Sequence, residues 1–170
     1  MNRNVEVKAR ARDLIAVQKM LEQGGAKGKL LHQHDTFYRC PDGRLKLRVF
    51  AEGHGELIFY RRPDHTTAKL SQYWIYPTTD AHGLHEILAQ CYGVLGEVIK
   101  QRLVFIIGQT RIHLDQVETL GDFLELEVVL KPEQPESDGE RIAKEWMIRL
   151  AIRPEDLLSV AYIDLLTNRV

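Results

Sequence analysis

Residues 108–130 read GQTRIHLDQVETLGDFLELEVVL, and in this stretch apolar and ionic residues alternate on both sides of a short turn. A period of two is typical of β-strands, so the stretch predicts a β-hairpin. Successive side chains of a strand point to opposite faces of the sheet. One face of the hairpin is therefore apolar and carries Ile112, Leu114, Leu124, Leu126 and Val128. The other face is mainly ionic and carries Arg111, His113, Asp115, Phe123, Glu125 and Glu127.

The ionic face offers two carboxylates that one cation could share. Glu125 and Glu127 are two residues apart on one strand, so they project side by side. Carboxylate oxygens are the ligands that hard divalent cations prefer. An antiparallel sheet with one charged face in water gives the same pattern without any ligand. The hairpin alone therefore leaves both interpretations open.

Length and composition narrow the class of protein. The chain has 170 residues, which predicts one domain over residues 1–170. Its net charge is −1 and its pI is about 6.7, so we expect neither nucleic acid nor membrane as a partner. The charged start is unlike a signal peptide and no apolar run has membrane length, which favours a cytoplasmic location. Cys40 and Cys91 are isolated, which predicts reduced, structural cysteines.

Further strands are predicted wherever the period of two recurs. At the N-terminus, for example, Glu6 and Lys8 alternate with Val5 and Val7. A strand of mixed character over 56–62 is ended by Pro63. The other predicted strands cover residues 4–10, 30–40, 44–50, 70–76 and 97–107.

Three or four amphipathic helices interrupt these strands. Asp13 is a suitable N-cap for a helix over 14–21, and Thr79 or Asp80 can cap a second one. Ser137 and Glu140 form a capping-box pattern for a third helix, and a last helix is predicted over 155–166. About eight strands in sequential hairpins favour an α+β fold. We predict an eight-stranded antiparallel β-barrel with the helices packed outside it.

The helices decide which face of the barrel is inside. An eight-stranded barrel has room only for side chains or one small ligand, so helices must cover the apolar face from outside. The ionic face then points inward, where each unpaired charge costs several kcal/mol. A polyphosphate with Mg²⁺ or Mn²⁺ satisfies both signs, because bases bind phosphate and carboxylates bind the cation. The predicted interior comprises Glu6, Lys8, Lys46, Arg48, Lys100, Arg102, Arg111, Asp115, Glu125 and Glu127.

Four segments carry a family resemblance that covers nearly the whole chain. They are NVEVKAR at 4–10, HDTFYRCPDGRLKLR at 34–48, QTRIHLDQVETLGDFLELEVV at 109–129 and SVAYIDLL at 159–166. These segments resemble the CYTH superfamily of triphosphate tunnel metalloenzymes, which includes class IV adenylate cyclases, thiamine triphosphatases and inorganic triphosphatases. The resemblance implies an eight-stranded tunnel whose lumen holds a metal-dependent active site for a triphosphate.

The resemblance also implies roles for individual residues. The metal ligands would be Glu6, Glu125 and Glu127, with Asp115 assisting. Phosphate would be bound by Lys8, Lys46, Arg48, Arg61 and Arg102, to which the interior bases Lys100 and Arg111 are added. Asp115 and His113 are the candidates for a catalytic base. Tyr162 and Asp164 match the cyclase branch of the family, although packing and capping of the last helix would explain them equally well.

Two departures from the family pattern affect the substrate and the metal. Asn4 stands where the family has its first glutamate, so the cation site loses one negative charge. The strand over 70–76 offers Tyr73, Trp74 and Tyr76 where relatives carry charges. Aromatic residues are typical of a protein core. If Trp74 or Tyr76 instead faced the lumen, the ligand would carry an organic tail.

Three hypotheses on function follow. The first is a cyclase or hydrolase of a triphosphate with Mg²⁺ or Mn²⁺, and its motifs do not separate the two activities. The second, based on Asn4 and the aromatic strand, is metal-assisted chemistry on an organic diphosphate such as a prenyl diphosphate. The third is a non-catalytic protein that binds nucleotide or polyphosphate. The oligomeric state is left open, with a homodimer as the commonest oligomer.

Overall fold

The fold is that of a computed structural model, which describes residues 2–50, 53–61 and 68–167. The strands are β1 Asn2–Arg10, β2 Lys29–Tyr38, β3 Arg44–Phe50, β4 Gly55–Arg61, β5 Lys69–Thr78, β6 Val94–Ile107, β7 Thr110–Val117 and β8 Gly121–Val129. The α-helices are α1 Leu14–Gln23, α2 Ala81–Tyr92, α3 Glu136–Arg149 and α4 Tyr162–Leu166. Arg62 and Pro63, the predicted end of the fourth strand, lie outside the described residues.

The eight strands close into one antiparallel barrel, as predicted. Their order around the barrel is β1-β5-β4-β3-β2-β6-β7-β8. The decisive hairpin is β7–β8, and its register pairs Arg111 with Glu127 and His113 with Glu125. Strand β1 closes the barrel against β8 and pairs Glu6 with Glu127. Side chains far apart in the sequence therefore lie side by side on one wall.

The apolar faces of the strands form the core outside the barrel wall. Val5, Phe105, Ile112 and Leu126 are fully buried there. Partly buried residues of α1 and α3, including Val17 and Trp146, pack against this cluster. A smaller outer cluster joins Tyr38 and Leu47 to Ala81 and Leu88 of α2. The apolar face of the sheet thus lies outside, under the helices, and the ionic face points into the barrel. This confirms the predicted orientation of the two faces.

The predicted N-cap residues of the first two helices are confirmed. The Asp13 carboxylate accepts from the Ala16 backbone N–H at 2.9 Å and caps α1. Asp80 caps α2 in the same way, by accepting from the Gly83 N–H at 2.9 Å. Short polar side chains at this position satisfy backbone donors that the helix leaves free.

The predicted start of the third helix is wrong. Helix α3 begins at Glu136 with Pro135 in the N-cap position, and no side chain caps it. Ser137 therefore lies inside the first turn and forms no capping box with Glu140. Glu136 and Asp138 place negative charge in that turn, where it is stabilised by the helix dipole.

The predicted single helix over 155–166 is also wrong, because two short elements replace it. A 3₁₀ turn covers Pro154–Asp156, and α4 starts only at Tyr162. Between them the backbone is drawn to the end of β1. The Leu158 N–H donates to the Lys8 carbonyl at 2.9 Å, and Leu157 forms a bridge with Ala9. These bonds interrupt the helix and place α4 across one end of the barrel.

Helix α4 closes that end of the barrel from outside. Tyr162 and Ile163 pack against Phe37, Val98 and Phe123, which line the inner wall at that end. The other end, formed by the N-terminus of β2 and the C-terminus of β6, is open to solvent, since Ile106 there lines the cavity and is largely exposed. No helix within residues 2–50, 53–61 and 68–167 has both the length and the apolar character that crossing a membrane requires.

The aromatic strand β5 differs from expectation. Trp74 and Tyr76 point outward and are 40% and 70% exposed, so they are neither core nor lumen residues. Tyr73 and Ile75, one position out of phase, line the lumen instead. The alternation along β5 allows only one of these pairs to face inward.

Candidate functional site

The barrel encloses a cavity of about 400 Å³. Its lining includes ten predicted site residues, listed here in chain order: Glu6, Lys8, Lys46, Arg48, Lys100, Arg102, Arg111, His113, Glu125 and Glu127. Each comes from the inward positions of β1, β3, β6, β7 or β8. Ala161 and Tyr162 form the closed end of the cavity. A charged ligand must therefore enter from the open end.

One wall of the cavity is acidic and is built by β1, β7 and β8. The His113 Nδ1 atom lies 4.0 Å from Glu125 Oε1 and 3.9 Å from Glu127 Oε1. One ligand atom from each of these three residues lies within 4.8 Å of the others. Glu6 faces the same cavity and pairs in register with Glu127. Three side chains with oxygen or nitrogen ligands thus converge on one place, and Glu6 lies on the same wall.

The protonation of this wall follows from burial and crowding. Burial, followed by the neighbouring Glu125 carboxylate, raises the pKa of Glu127 to about 7. The pKa of Glu125 stays well below its usual value despite burial, because Lys8 and Arg102 lie beside it. Burial and then Arg102 hold the pKa of His113 well below its usual value. His113 is therefore a neutral imidazole, and its contacts with the two glutamates are not ion pairs.

Two buried polar atoms on the acidic wall have no hydrogen-bond partner among the described residues. They are His113 Nδ1 and Asn4 Oδ1. Buried polar atoms without a partner are rare in native proteins, because each costs about 1–3 kcal/mol. A neutral imidazole nitrogen, an amide oxygen and carboxylates are all cation ligands. The residues of this wall therefore fit a divalent cation.

The opposite wall, built by β2, β3 and β6, is basic and is organised around Asp35. Its carboxylate accepts from Lys46 at 2.7 Å, from Arg48 at 2.7 and 2.9 Å, and from Lys100 at 3.1 Å. Asp35 is only 1% exposed. One carboxylate thus faces three basic side chains. We call Asp35, Lys46, Arg48 and Lys100 the Asp35 cluster.

Burial, together with nearby positive charge, lowers the pKa of both lysines of the Asp35 cluster. Burial and then Arg48 lower the pKa of Lys46 to about 8. Burial lowers the pKa of Lys100 to about 7, although Asp35 acts in the opposite direction. The ammonium forms are costly here mainly because they are buried, and the neighbouring bases add to that cost. An anion in the cavity would reduce this cost.

Arg102 lies between the two walls and is held from behind. Its guanidinium donates to Asp115, at 2.6 Å from Nε and 2.5 Å from Nη2, and to Glu125 at 3.2 Å. The Tyr162 hydroxyl donates to Asp115 at 2.8 Å. Lys8 donates to Glu125 at 2.6 Å and lies 3.7 Å from the centre of the Tyr162 ring. Helix α4 thus supports both Arg102 and Lys8 through one side chain.

Two predicted site residues are not in the cavity wall, and one lies at its mouth. Asp115 is fully buried behind Arg102 and does not line the cavity. Arg61 points outward, because its neighbour Tyr60 faces the lumen, and it pairs with Asp42 at 2.6 Å. The structure therefore separates Arg61 from the other phosphate-binding candidates. Arg111 is 42% exposed and lies 3.5 Å from Glu127.

Sequence reasoning missed Asp35 and left Tyr162 undecided. Along β2 the inward positions are Leu31, Gln33, Asp35 and Phe37, so no ionic stripe marks Asp35. The register that pairs Asp35 with Arg48 reveals it. Asp164, the other undecided residue, caps α4 by accepting from the Ala161 N–H at 2.9 Å and binds Arg44 at 2.7 Å.

Solved structures of other proteins share this fold. The protein PH1012 of Pyrococcus horikoshii OT3 is 25% identical with a TM-score of 0.85, over 95% of this chain and 98% of that one. HpAC1 from Hippeastrum, which has a dominant triphosphatase activity, is 13% identical with a TM-score of 0.68, over 99% and 95%. The RNA triphosphatase Pct1 of Schizosaccharomyces pombe is 10% identical with a TM-score of 0.52, over 89% and 82%.

A search with the sequence among curated proteins finds no match. The profile of the CYTH domain, in contrast, matches residues 2–162. That range contains all eight strands of the barrel, the acidic wall, the Asp35 cluster and Tyr162. With the match covering almost the whole chain, this protein belongs to the CYTH domain family.

Proposed function

We propose that this protein is a divalent-cation-dependent enzyme that cleaves a phosphoanhydride bond of a triphosphate held in the barrel lumen. The observation that carries the proposal is the pairing of two opposite walls in a cavity with one closed end. The acidic wall has unsatisfied ligand atoms for a cation, and the Asp35 cluster has a surplus of positive charge for an anion.

The Asp35 cluster would bind and orient the phosphate oxygens. Lys46, Arg48 and Lys100 come from neighbouring strands and already share one carboxylate, so they are held in place before the ligand arrives. Hydrogen-bond donors that are fixed in advance stabilise developing charge without reorganising during the reaction. Arg102, fixed by Asp115, would contribute in the same way to charge on the transferred group.

His113, Glu125 and Glu127 would hold the cation, with Glu6 and Asn4 beside them. Bound there, Mn²⁺ or Mg²⁺ would supply positive charge that polarises a phosphoryl oxygen. An imidazole among the ligands favours Mn²⁺ over Mg²⁺, since Mg²⁺ prefers oxygen. Asn4 in place of a carboxylate limits the negative charge of the site and favours one cation over two.

Neither residue expected to act as a base is well placed for that role. Both oxygens of Asp115 are already bound by Arg102 and Tyr162, so we assign Asp115 a positioning role. His113 faces the carboxylates and is assigned to the cation. Phosphoryl transfer through a loose transition state depends mainly on positioning and charge stabilisation, and the lumen residues provide both.

Turnover assays test the proposal. The purified protein is incubated with Mn²⁺ and either tripolyphosphate, ATP or thiamine triphosphate, and the products are separated. We expect orthophosphate from a hydrolase, or a cyclic nucleotide with pyrophosphate from a cyclase. Activity should disappear with a chelator and in Glu127→Gln. Glu118→Gln, in the exposed turn between β7 and β8, is the matched control.

The assays also separate the competing hypotheses. Tight binding of all three compounds without turnover would support a non-catalytic binding protein instead. Neither binding nor turnover with any compound would contradict the proposal.

A further inference from the structure

Several apolar side chains lie along one side of the open mouth of the cavity. Leu31, Phe50, Ile75, Val104 and Ile106 all line the same cavity as the charged residues. They belong to β2, β3, β5 and β6, and β4, which lies between β3 and β5, presents Glu56 to the same cavity beside Arg48. We call these five residues the apolar arc.

The apolar arc lies at the end of the barrel opposite α4. Phe37 and Val98, which contact α4, are near the C-terminus of β2 and the N-terminus of β6. Leu31 and Ile106 are near the other ends of the same two strands. Phe50 is the last residue of β3, which runs antiparallel to β2. A ligand group at the arc would therefore stay near the entrance.

Two of the arc side chains are exposed to water, and Leu31, Phe50 and Val104 are partly buried. Ile106 is 68% exposed and Ile75 is 42% exposed. Single exposed apolar residues are ordinary on protein surfaces. Here, however, several of them line one side of a binding cavity. Burial of such surface is favourable in proportion to the apolar area removed from water, so an apolar ligand group would bind here.

The residues of the arc also lie close to the phosphate-binding residues along the same strands. Phe50 is two residues from Arg48 on β3, and Val104 is two residues from Arg102 on β6. Two residues of a strand span about 7 Å. A group attached directly to a phosphate chain in the lumen would thus reach the arc without a long linker.

The other side of the mouth has a different character. Strands β7, β8 and β1 present Arg111, Glu127 and Asn4 to the cavity there. A hydrocarbon group would therefore be drawn to one side of the entrance and away from the acidic wall. Leu31, Ile75, Val104 and Ile106 give no hydrogen bonds to a sugar or a nucleobase, whose polar groups would lose water contacts against them. Within the arc, only Phe50 offers a ring on which a base could stack.

We infer that the natural substrate is a phosphoanhydride ester of a hydrocarbon alcohol, with its phosphates in the lumen and its hydrocarbon group on the apolar arc. The phosphate half of this inference rests on the proposed function. The hydrocarbon half rests on the arc alone. Trp74 and Tyr76, which suggested an organic tail from the sequence, play no part because they point outward.

Binding of three triphosphates measured by calorimetry with Mn²⁺ tests the inference. The probes are hexyl triphosphate, methyl triphosphate and ATP. We expect hexyl triphosphate to bind tenfold or more tightly than methyl triphosphate, since even small apolar additions in such a pocket change affinity by about that factor. ATP should bind no more tightly than methyl triphosphate. The tighter binding should also show a more negative heat-capacity change.

Variants link the preference to the arc. Ile106→Ser and Phe50→Ser should each remove most of the preference for the hexyl ester and leave methyl triphosphate binding unchanged. Ile148→Ser is the matched control, because Ile148 is 80% exposed on α3, away from the cavity. It should change neither affinity.

The outcomes distinguish the two proposals. Equal affinities for the hexyl and methyl esters, or tightest binding of ATP, would overturn the inference and leave the proposed function standing. A hexyl preference that Ile106→Ser and Phe50→Ser both preserve would also overturn it. No binding of any probe would overturn the proposed function, and the inference with it.

Discussion

Arg102 and Asp115 form a two-bond ion pair inside the barrel, with Asp115 completely shielded from water and Arg102 5% exposed. The pair lies between the acidic wall and the Asp35 cluster. Asp115 fixes the plane of the guanidinium from behind, and the side of Arg102 that faces the cavity is directed at Glu125 and the lumen. This pair is the clearest case in which a residue outside the cavity controls a residue inside it.

Replacing Asp115 should destabilise the protein strongly. In Asp115→Asn the guanidinium of Arg102 loses its main counter-charge while it stays buried, which typically costs about 3–5 kcal/mol. Urea unfolding followed by circular dichroism measures the loss. Asp122→Asn, an exposed aspartate at the start of β8, is the control. A loss below about 1 kcal/mol would show that the pair contributes no more than a surface ion pair.

Tyr162→Phe tests the link between α4 and the lumen. The variant loses the hydrogen bond to Asp115 but keeps the ring against Lys8. We expect a loss of stability of about 1–3 kcal/mol, since the acceptor is charged. The same urea experiment measures it. An unchanged midpoint would mean that α4 closes the barrel by apolar packing alone.

We expect an anion to restore part of the stability that a variant of the Asp35 cluster loses. Asp35→Asn leaves Lys46, Arg48 and Lys100 without their shared carboxylate, so we expect a clear drop in melting temperature. A ligand that binds only the native state stabilises it, so tripolyphosphate should raise the melting temperature of both proteins. The increase should be larger in the variant, because there the anion also replaces the carboxylate that the three bases have lost. Equal increments in both proteins would contradict the placement of phosphate at this cluster.

Removal of a ligand side chain should weaken cation binding. We expect His113→Ala and Glu127→Gln each to lower the affinity for Mn²⁺ by at least about tenfold, as losses in metal sites commonly do. Calorimetric titration of Mn²⁺ measures this. His82→Ala is the matched control, since His82 on α2 is 86% exposed. If His113→Ala bound Mn²⁺ as tightly as the wild type, the cation would be held by the carboxylates without the imidazole.

We expect the Lys100 side chain to take up a proton when a triphosphate binds. Its pKa is about 7 without ligand, so at pH 8 most of it is neutral, and a nearby phosphate favours the charged form. Calorimetry in two buffers with different ionisation enthalpies should show protons taken up at pH 8, and less uptake in Lys100→Met. The depressed pKa of Lys100 also determines how its contribution to the free energy of unfolding changes with pH. The contribution of Lys100 is present above its unfolded value of 10.5 and is lost as the pH falls through about 7.

Much of the fold could be predicted because the alternation of apolar and ionic residues recurs along the chain. The alternation in residues 108–130 predicts a hairpin with the correct inward set, and Asp13 and Asp80 mark two helix starts. The start of the third helix and the C-terminal segment were predicted wrongly. In the C-terminal segment, contacts distant in the sequence decide the structure. The bonds from residues 157–158 to β1 are of this kind.

The site was predictable only in part for the same reason. Strand parity identified the residues that face inward, including Glu125, Glu127, Arg48 and Arg102. Arg61, at the end of β4 where the alternation is weak, lies outside the cavity lining and pairs with Asp42. Strand parity also gave no reason to select Asp35, whose importance comes from three cations on neighbouring strands.

The sequence by itself determined the sidedness of the sheet, since alternating side chains and amphipathic helices together require the apolar face to lie outside the barrel. Only the tertiary structure decided which charges meet. Register across the closed barrel sets the distances between His113, Glu125 and Glu127, and between Asp35 and its three cations. Electrostatic interactions depend on those distances and on burial, and neither is encoded in the spacing of residues along one strand.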